Sequence, residues 1–161
     1  MQLADFLRAV ITTPQPASAG EKAWFCLCLG SDGAWLEEWY GWPEDIDAIC
    51  QRAAEAAEHS NCYFSSYLFK APQSVKNNVL FGTRTIQADL DEADLNTITR
   101  QPTLLVQTSP GRHQCYWILN KPLSLEDHEE LSKKLTYSIP NCDHSGWPLG
   151  RKVRLPTTLN H

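Results

Sequence analysis

Leu3, Phe6, Leu7, Val10 and Ile11 recur at helical spacing and predict an amphipathic helix at the start of the chain. The stretch TTPQPASAG, with its prolines and small residues, ends that helix as a loop. AWFCLCL and AWLEEWY flank GSDG and predict a β-hairpin. EDIDAICQRAAEAAE, residues 44–58, reads as a second helix with Pro43 near its start. NCYFSSYLFK predicts a further strand, and the polar APQSVKNNVLFG a mobile loop. TRTIQADLD is a strand, followed by a short helix or turn, EADLNTITR. TLLVQT and QCYWILN predict two strong strands joined by the Pro-Gly turn SPGRH. SLEDHEELSKKLTYSI is a helix, with Ser124 as its N-cap and Asp127 three residues on, a shorter-armed capping box. PNCDHSGWPLGRK is a loop and VRLP a short strand. Mixed helices with mostly antiparallel strands predict an α+β domain.

Composition supports one folded domain. The chain has 161 residues, 42% apolar and 20% charged, enough for a core and unlike a disordered segment. No apolar run approaches the ~20 residues that span a bilayer, so no membrane partner is expected. The N-terminus has no basic start before a long apolar run, which reads as a helix rather than a signal peptide and favours a cytoplasmic location. The abrupt end at His161 suggests the head of a longer protein. The six cysteines read as free buried thiols rather than as disulfides or a zinc site: there is no CxxC pair, and Cys26-Leu27-Cys28 alternates like a strand.

Charge is unevenly spread. The net charge of −5 argues against an overall basic nucleic-acid binder. A local basic track remains open, because GRKVRLPTTLNH carries Arg151, Lys152 and Arg154 and no acid.

Three stretches carry candidate chemistry. In a strand, Asp89 and Asp91 project to one face and Leu90 to the other. Two such close carboxylates are stabilised by a cation between them, and magnesium commonly takes one or two carboxylates with substrate phosphates. A solvated acidic turn is the alternative. The second stretch is QTSPGRHQCYW, where Ser109, Arg112 and His113 lie at a hairpin tip. Hydroxyl, guanidinium and imidazole groups donate to phosphate, and Gly111 lets backbone N–H groups approach an anion. An ordinary turn with a structural His is the alternative. The third is NCDHSGWPLGRKVRLPTTLNH, with Asp143 ahead of Lys152 and Arg154; Arg154 alternates with Val153 and Leu155 and faces away from the core. A surface loop and an edge strand are the alternative here. Together the stretches propose nucleotidyl transfer: carboxylates holding two divalent ions ~3.5–4 Å apart, with a His and cations holding a triphosphate. No Walker A pattern is present.

The order and content of these motifs resemble the archaeo-eukaryotic primase superfamily, and more closely its RepB-type primase and primase-polymerase branch of plasmids, phages and mobile elements. ADLDEAD, SPGRHQ-YW and the Asp-to-RKVRLPTTLNH ending carry the likeness over residues 84–161. Pro156-Thr157-Thr158 stands where that branch has Pro-Gly-Thr. The resemblance implies one catalytic domain over residues 1–161, with an RRM-like half over 83–161 packed on an N-terminal α/β half over 1–82. It implies a DNA primase or DNA-directed polymerase acting in DNA replication with magnesium or manganese (Mg2+ or Mn2+). Asp89, Asp91 and Asp143 would be the metal-binding catalytic carboxylates. Ser109, Arg112, His113, Lys152 and Arg154 would bind nucleotide. The implied partners are nucleoside triphosphates, a single-stranded DNA template, and a helicase or further domains beyond the chain.

Two other readings compete. A non-catalytic RRM-like module for single-stranded DNA or origin binding would stack bases on exposed members of Tyr63, Phe64, Tyr67, Tyr116 and Trp117, for which core packing is the alternative. A DxD glycosyltransferase accounts for Asp89 and Asp91 but not for the second and third stretches.

Overall fold

The alternating strands and periodic helices form two antiparallel sheets in a computed structural model of the chain, which describes residues 1–12, 21–31, 34–90 and 93–156. Helix α1 (Leu3–Val10) is followed by strands β1 (Ala23–Ser31) and β2 (Ala34–Trp42), helix α2 (Ile46–Ala56) and strand β3 (Asn61–Ser65). Then come β4 (Thr85–Asp89), β5 (Leu104–Ser109), β6 (Arg112–Ile118), helix α3 (Leu125–Tyr137) and β7 (Lys152–Arg154). The first sheet has the order β2-β1-β3-β7 and the second β4-β6-β5. The closing strand, although last in sequence, pairs with β3 (Tyr63↔Arg154, Ser65↔Lys152) and so completes the first sheet.

Alternation sorts the first sheet into two faces. Phe25, Leu27, Leu29, Phe64 and Val153 point to α1 and α2 and build the main core. The opposite face carries a cross-strand row, Glu37-Cys28-Tyr63-Arg154, with Trp35 opposite Gly30 on one side and Lys152 beside Ser65 on the other. Residues 66–80 fold over part of that face. Tyr67, Phe69 and Val79 bury Cys26 there, with Trp39 and Leu149 packed around them.

The expected ten-residue strand at 61–70 stops at Ser65. The Ser65 hydroxyl accepts from Tyr67 N (3.2 Å), a local bond that competes with the ladder and turns the chain. The polar stretch after it is anchored, with Lys70 N donating to Asn78 O (2.7 Å), Ser74 bonded to Glu37 and Lys76 paired with Glu129.

The two sheets share one core. Phe6 of α1 meets Phe64 edge-on at 5.7 Å and Tyr116 at 5.5 Å, one ring from each sheet. Two buried glutamines join them elsewhere. Gln87 Nε2 donates to Arg151 O (3.3 Å). The Gln114 amide, oriented to satisfy both ends, accepts from Arg154 N and donates to Arg154 O (3.1 Å each) and to the Tyr116 hydroxyl. Helix α3 begins at the expected Ser124, whose Oγ accepts from Asp127 N (3.0 Å). All six cysteines are free, five of them buried.

Candidate active site

Asp89 ends β4 at the point where three chain segments meet. Along β4, Ile86 and Ala88 turn, with Leu90 beyond them, into a core with Cys115, Trp117 and Cys142. Thr85, Gln87 and Asp89 therefore face the other way. Asp89 pairs with Gln114 of β6, and Leu90 N donates to His113 O (2.8 Å). On the other side Asp143 N donates to Asp89 O (3.0 Å), and the Cys142 thiol donates to the same oxygen (3.1 Å). Asn141, in the left-handed region at φ 59°, turns the chain back after α3 towards this bond. Gly146 keeps the turn close: a Cβ there would lie 3.4 Å from Asp143 O and 3.9 Å from Asp89 N. A long loop thus sets Asp143 beside Asp89 through backbone contacts. The Asp143 carboxylate accepts from Ser145 N and Ser145 Oγ (2.8 Å each), and Arg151 donates to that Oγ (2.9 Å).

A cavity of about 170 Å³ lies between the sheets. Asp89, Ser109, Arg112 and Gln114 line it from the second sheet, and Tyr63, Lys152 and Arg154 from the first. Ser109 and Arg112 arrive on the β5–β6 hairpin, where Gly111 at φ +77° makes the turn and a register shift between Gln107 and Ser109 breaks regular pairing. With Arg151 also present, the described lining holds four cationic side chains and one carboxylate. Such a surface attracts polyanions despite the acidic whole.

These cations are held by neighbours. Lys152 pairs with Glu37 and bonds Ser74 Oγ (3.1 Å). Burial works against the Glu37 charge, but the hydrogen bonds from Lys152 and Ser74 outweigh it and hold that carboxyl below its ordinary range. Arg154 bonds Asn61 Oδ1 (2.8 Å) and the Tyr63 hydroxyl (3.3 Å), with its guanidinium 5.2 Å from the Tyr63 ring centre. The acid field is felt on the core side: burial, then Asp89 and Asp143, push the Cys142 thiol up to about 11.

Of the residues singled out from the sequence, the structure brings Asp89, Ser109, Arg112, Lys152 and Arg154 to one cavity and ties the Asp143 backbone to Asp89. His113 is not among the lining residues. Alternation along β6 puts it on the side of Cys115 and Trp117, away from Arg112 and Gln114. Asp91 lies outside the described residues, as do Glu92 and the tail from 157 to 161. Gln114 and Thr108 were not foreseen as lining residues, and nothing in their local sequence marks them. Among the five aromatics considered for base stacking, Phe64, Tyr67, Tyr116 and Trp117 are buried, and Tyr63 alone is half-exposed.

Hard-oxygen chemistry tests the metal expectation. Asp89 presents a carboxylate to the cavity, and Asp143 supplies a second on the adjoining loop, which suits Mg2+ or Mn2+ in kind. Among the described residues no group of three or more His, Cys, Asp or Glu is gathered closely enough to hold a metal, a set that leaves out Asp91.

No protein-family model matches the chain. No curated protein matches it by sequence. Solved structures do. The AEP domain of the primase-polymerase of cyanophage S-2L superposes with a TM-score of 0.65 at 14% identity, covering 96% of this chain and 80% of that one. Primase RepB' superposes with a TM-score of 0.66 at 15% identity, covering 98% of this chain and 50% of that one, so the chain spans half that protein's length. The catalytic domain of primase RepB' in complex with initiator DNA gives 0.64 at 14% identity, covering 95% and 73%. The chain therefore has the mixed α/β fold of archaeo-eukaryotic primase domains. No helix among the described residues is long and apolar enough to cross a membrane.

Proposed function

We propose that the chain is the catalytic domain of a DNA-dependent nucleotidyltransferase, a primase or primase-polymerase joining nucleoside triphosphates on single-stranded DNA. The observation that carries this reading is the inter-sheet cavity, where Asp89, with Asp143 tied to its backbone, meets Ser109, Arg112, Lys152 and Arg154. The fold of primase domains supports it. We read the β4-β6-β5 sheet with α3 as the RRM-like half. Replication of a plasmid, phage or mobile element is the proposed setting, with a helicase or further domains as partners.

Each group has a part in that chemistry. The Ser109 hydroxyl donates to a phosphate oxygen, and Arg112 can take two. Arg154 and Lys152 neutralise the triphosphate from the other wall. The hydrogen bonds already held by Lys152 and Arg154 orient them before substrate arrives, so less freedom is lost on binding. His113, on the other face of β6, is assigned no phosphate contact in this arrangement. Asp89, Asp143 and Asp91 would hold the divalent ions, which when bound lower the pKa of an attacking hydroxyl and neutralise departing pyrophosphate. Without such ions the carboxylates would repel a triphosphate, so activity should depend fully on added metal.

The test is incubation with unprimed single-stranded DNA, labelled nucleotides and Mg2+ or Mn2+, followed by sizing of products. Extension of a primed template is run beside it. Asp89→Asn should abolish synthesis with an unchanged far-ultraviolet circular dichroism spectrum. A folded Asp89→Asn protein with full synthesis, or a wild type inert on both templates with either metal, would overturn the proposal.

A further inference from the structure

A second recess of about 280 Å³ opens on the free face of the first sheet, lined by Trp35, Tyr63, Gly150, Arg151 and Lys152. Tyr63, Arg151 and Lys152 line both recesses, so the two are neighbours. Trp35 is 60% exposed, the most open aromatic position on that face, and it sits at the edge strand β2.

The placement of Trp35 is built into the sheet. Trp35 pairs with Gly30 of β1, and Tyr63 stands on β3 at the far side of that strand. Because Gly30 has no side chain, both rings lean over it. A Cβ there would lie 3.6 Å from Tyr63 Cε2 and 3.7 Å from Trp35 Cη2. The ring centres stand 4.9 Å apart, tilted at 49°, and the other side of Tyr63 meets the Arg154 guanidinium. A row of aromatic, aromatic and cation thus crosses the sheet from its open edge to the Asp89 cavity. Residues 66–80 cover the Cys26 end of this face and leave the Trp35 end open.

An exposed indole offers a flat apolar face with a polar N–H, and the charge beside it says which ligand that face suits. Arg151, Lys152 and Arg154 stand next to the rings, while Glu37, the acid of this face, is paired with Lys152. Flat aromatic surface beside cations matches an unpaired base and its phosphates, and stacking of that kind tolerates any base. We propose that the Trp35–Tyr63 surface binds single-stranded DNA, stacking an unpaired base on Trp35 while Arg151 and Arg154 hold its phosphates and lead the strand to the cavity. The identification of that strand as template rests on the nucleotidyltransferase reading; the surface itself does not.

The experiment measures binding without catalysis. Anisotropy of a labelled oligo(dT) is titrated with the full chain in EDTA, without nucleotides. Trp35→Ala should weaken binding about tenfold or more, the range for loss of one base–aromatic stack. Trp35→Phe should recover most of the affinity. Substitution of a side chain so exposed leaves the core intact, which circular dichroism checks. Two outcomes overturn the proposal: Trp35→Ala binding oligo(dT) like the wild type, or dTTP alone displacing the oligonucleotide, which would make the recess a mononucleotide site. Loss of synthesis by the wild type with Trp35-dependent DNA binding intact would sink the catalytic reading and leave this one standing.

Discussion

At the scale of single residues, the site depends on side chains fixed by partners far away in sequence. Lys152 is an example, held between Glu37 and Ser74 at the mouth of the cavity. Both charges are largely shielded, so the pair should be worth roughly 1 kcal/mol, the upper part of the range for partly exposed ion pairs. Lys152→Met should therefore lower the midpoint of urea unfolding at pH 7 modestly. The sign with pH follows from Glu37, whose folded pKa lies below its ordinary 4.5. The pair's contribution is complete above about pH 4.5 and is lost as pH falls through the folded value. Wild type and Lys152→Met should thus differ at pH 7 and converge in acid. A gap that persists undiminished into strong acid would show that Lys152 stabilises by packing its stem and not by charge.

At the scale of elements, helix α3 docks on β4 through a polar stripe. His128, Ser132 and Thr136 recur every four residues and are all fully buried. His128 Nε2 donates to Thr85 O (3.0 Å), and its ring meets Tyr67 edge-on at 5.5 Å. Burial is the largest influence and pulls its pKa below the ordinary 6.5, against smaller opposing effects of the Thr85 bond and Glu129. The unfolded chain then binds a proton more readily than the folded one, so this His contributes stability above pH 6.5 that is lost as pH falls through its folded value. The unfolding midpoint should drop between pH 7.5 and 5.5, and His128→Gln, which can keep the bond to Thr85, should flatten that drop. Parallel curves for the two proteins would assign the dependence to other groups. The stripe also marks where reading the sequence stops. The helix, its cap and both hairpins were legible because their signals are local: periodicity, a Ser with an Asp three residues on, a Pro-Gly turn. The face taken by His113 was not, because residues 114–117 of β6 are buried on both sides and give no alternation from which to read the phase. The partnership of β7 with β3, and of Asp143 with Asp89, rests on backbone bonds between distant segments, which no local pattern encodes.

At the scale of the whole molecule, the cavity exists only while the two sheets keep their relative position. Gln87, at Arg151 just before β7, and Gln114, at Arg154 within it, tie this segment's backbone to the second sheet, and Phe6 fills the space between Phe64 and Tyr116. One short helix near the N-terminus therefore supports a site whose lining residues, Tyr63 apart, lie more than eighty positions on. Phe6 is almost wholly buried, so Phe6→Ala should cost about 3–5 kcal/mol, lost transfer energy plus an unfilled cavity. For a domain of ordinary stability, about 5–15 kcal/mol, that is a large fraction. Because the ring touches both sheets, the loss should lower one cooperative transition and not detach one half. Far-ultraviolet circular dichroism and tryptophan fluorescence should shift together in urea, since Trp24, Trp35, Trp39 and Trp42 report on the first sheet and Trp117 on the second. Separate midpoints in the variant would mean that the sheets fold independently. In that case the Asp89 cavity would be an interface between two units, and Phe6→Ala would be expected to open it before either unit unfolds.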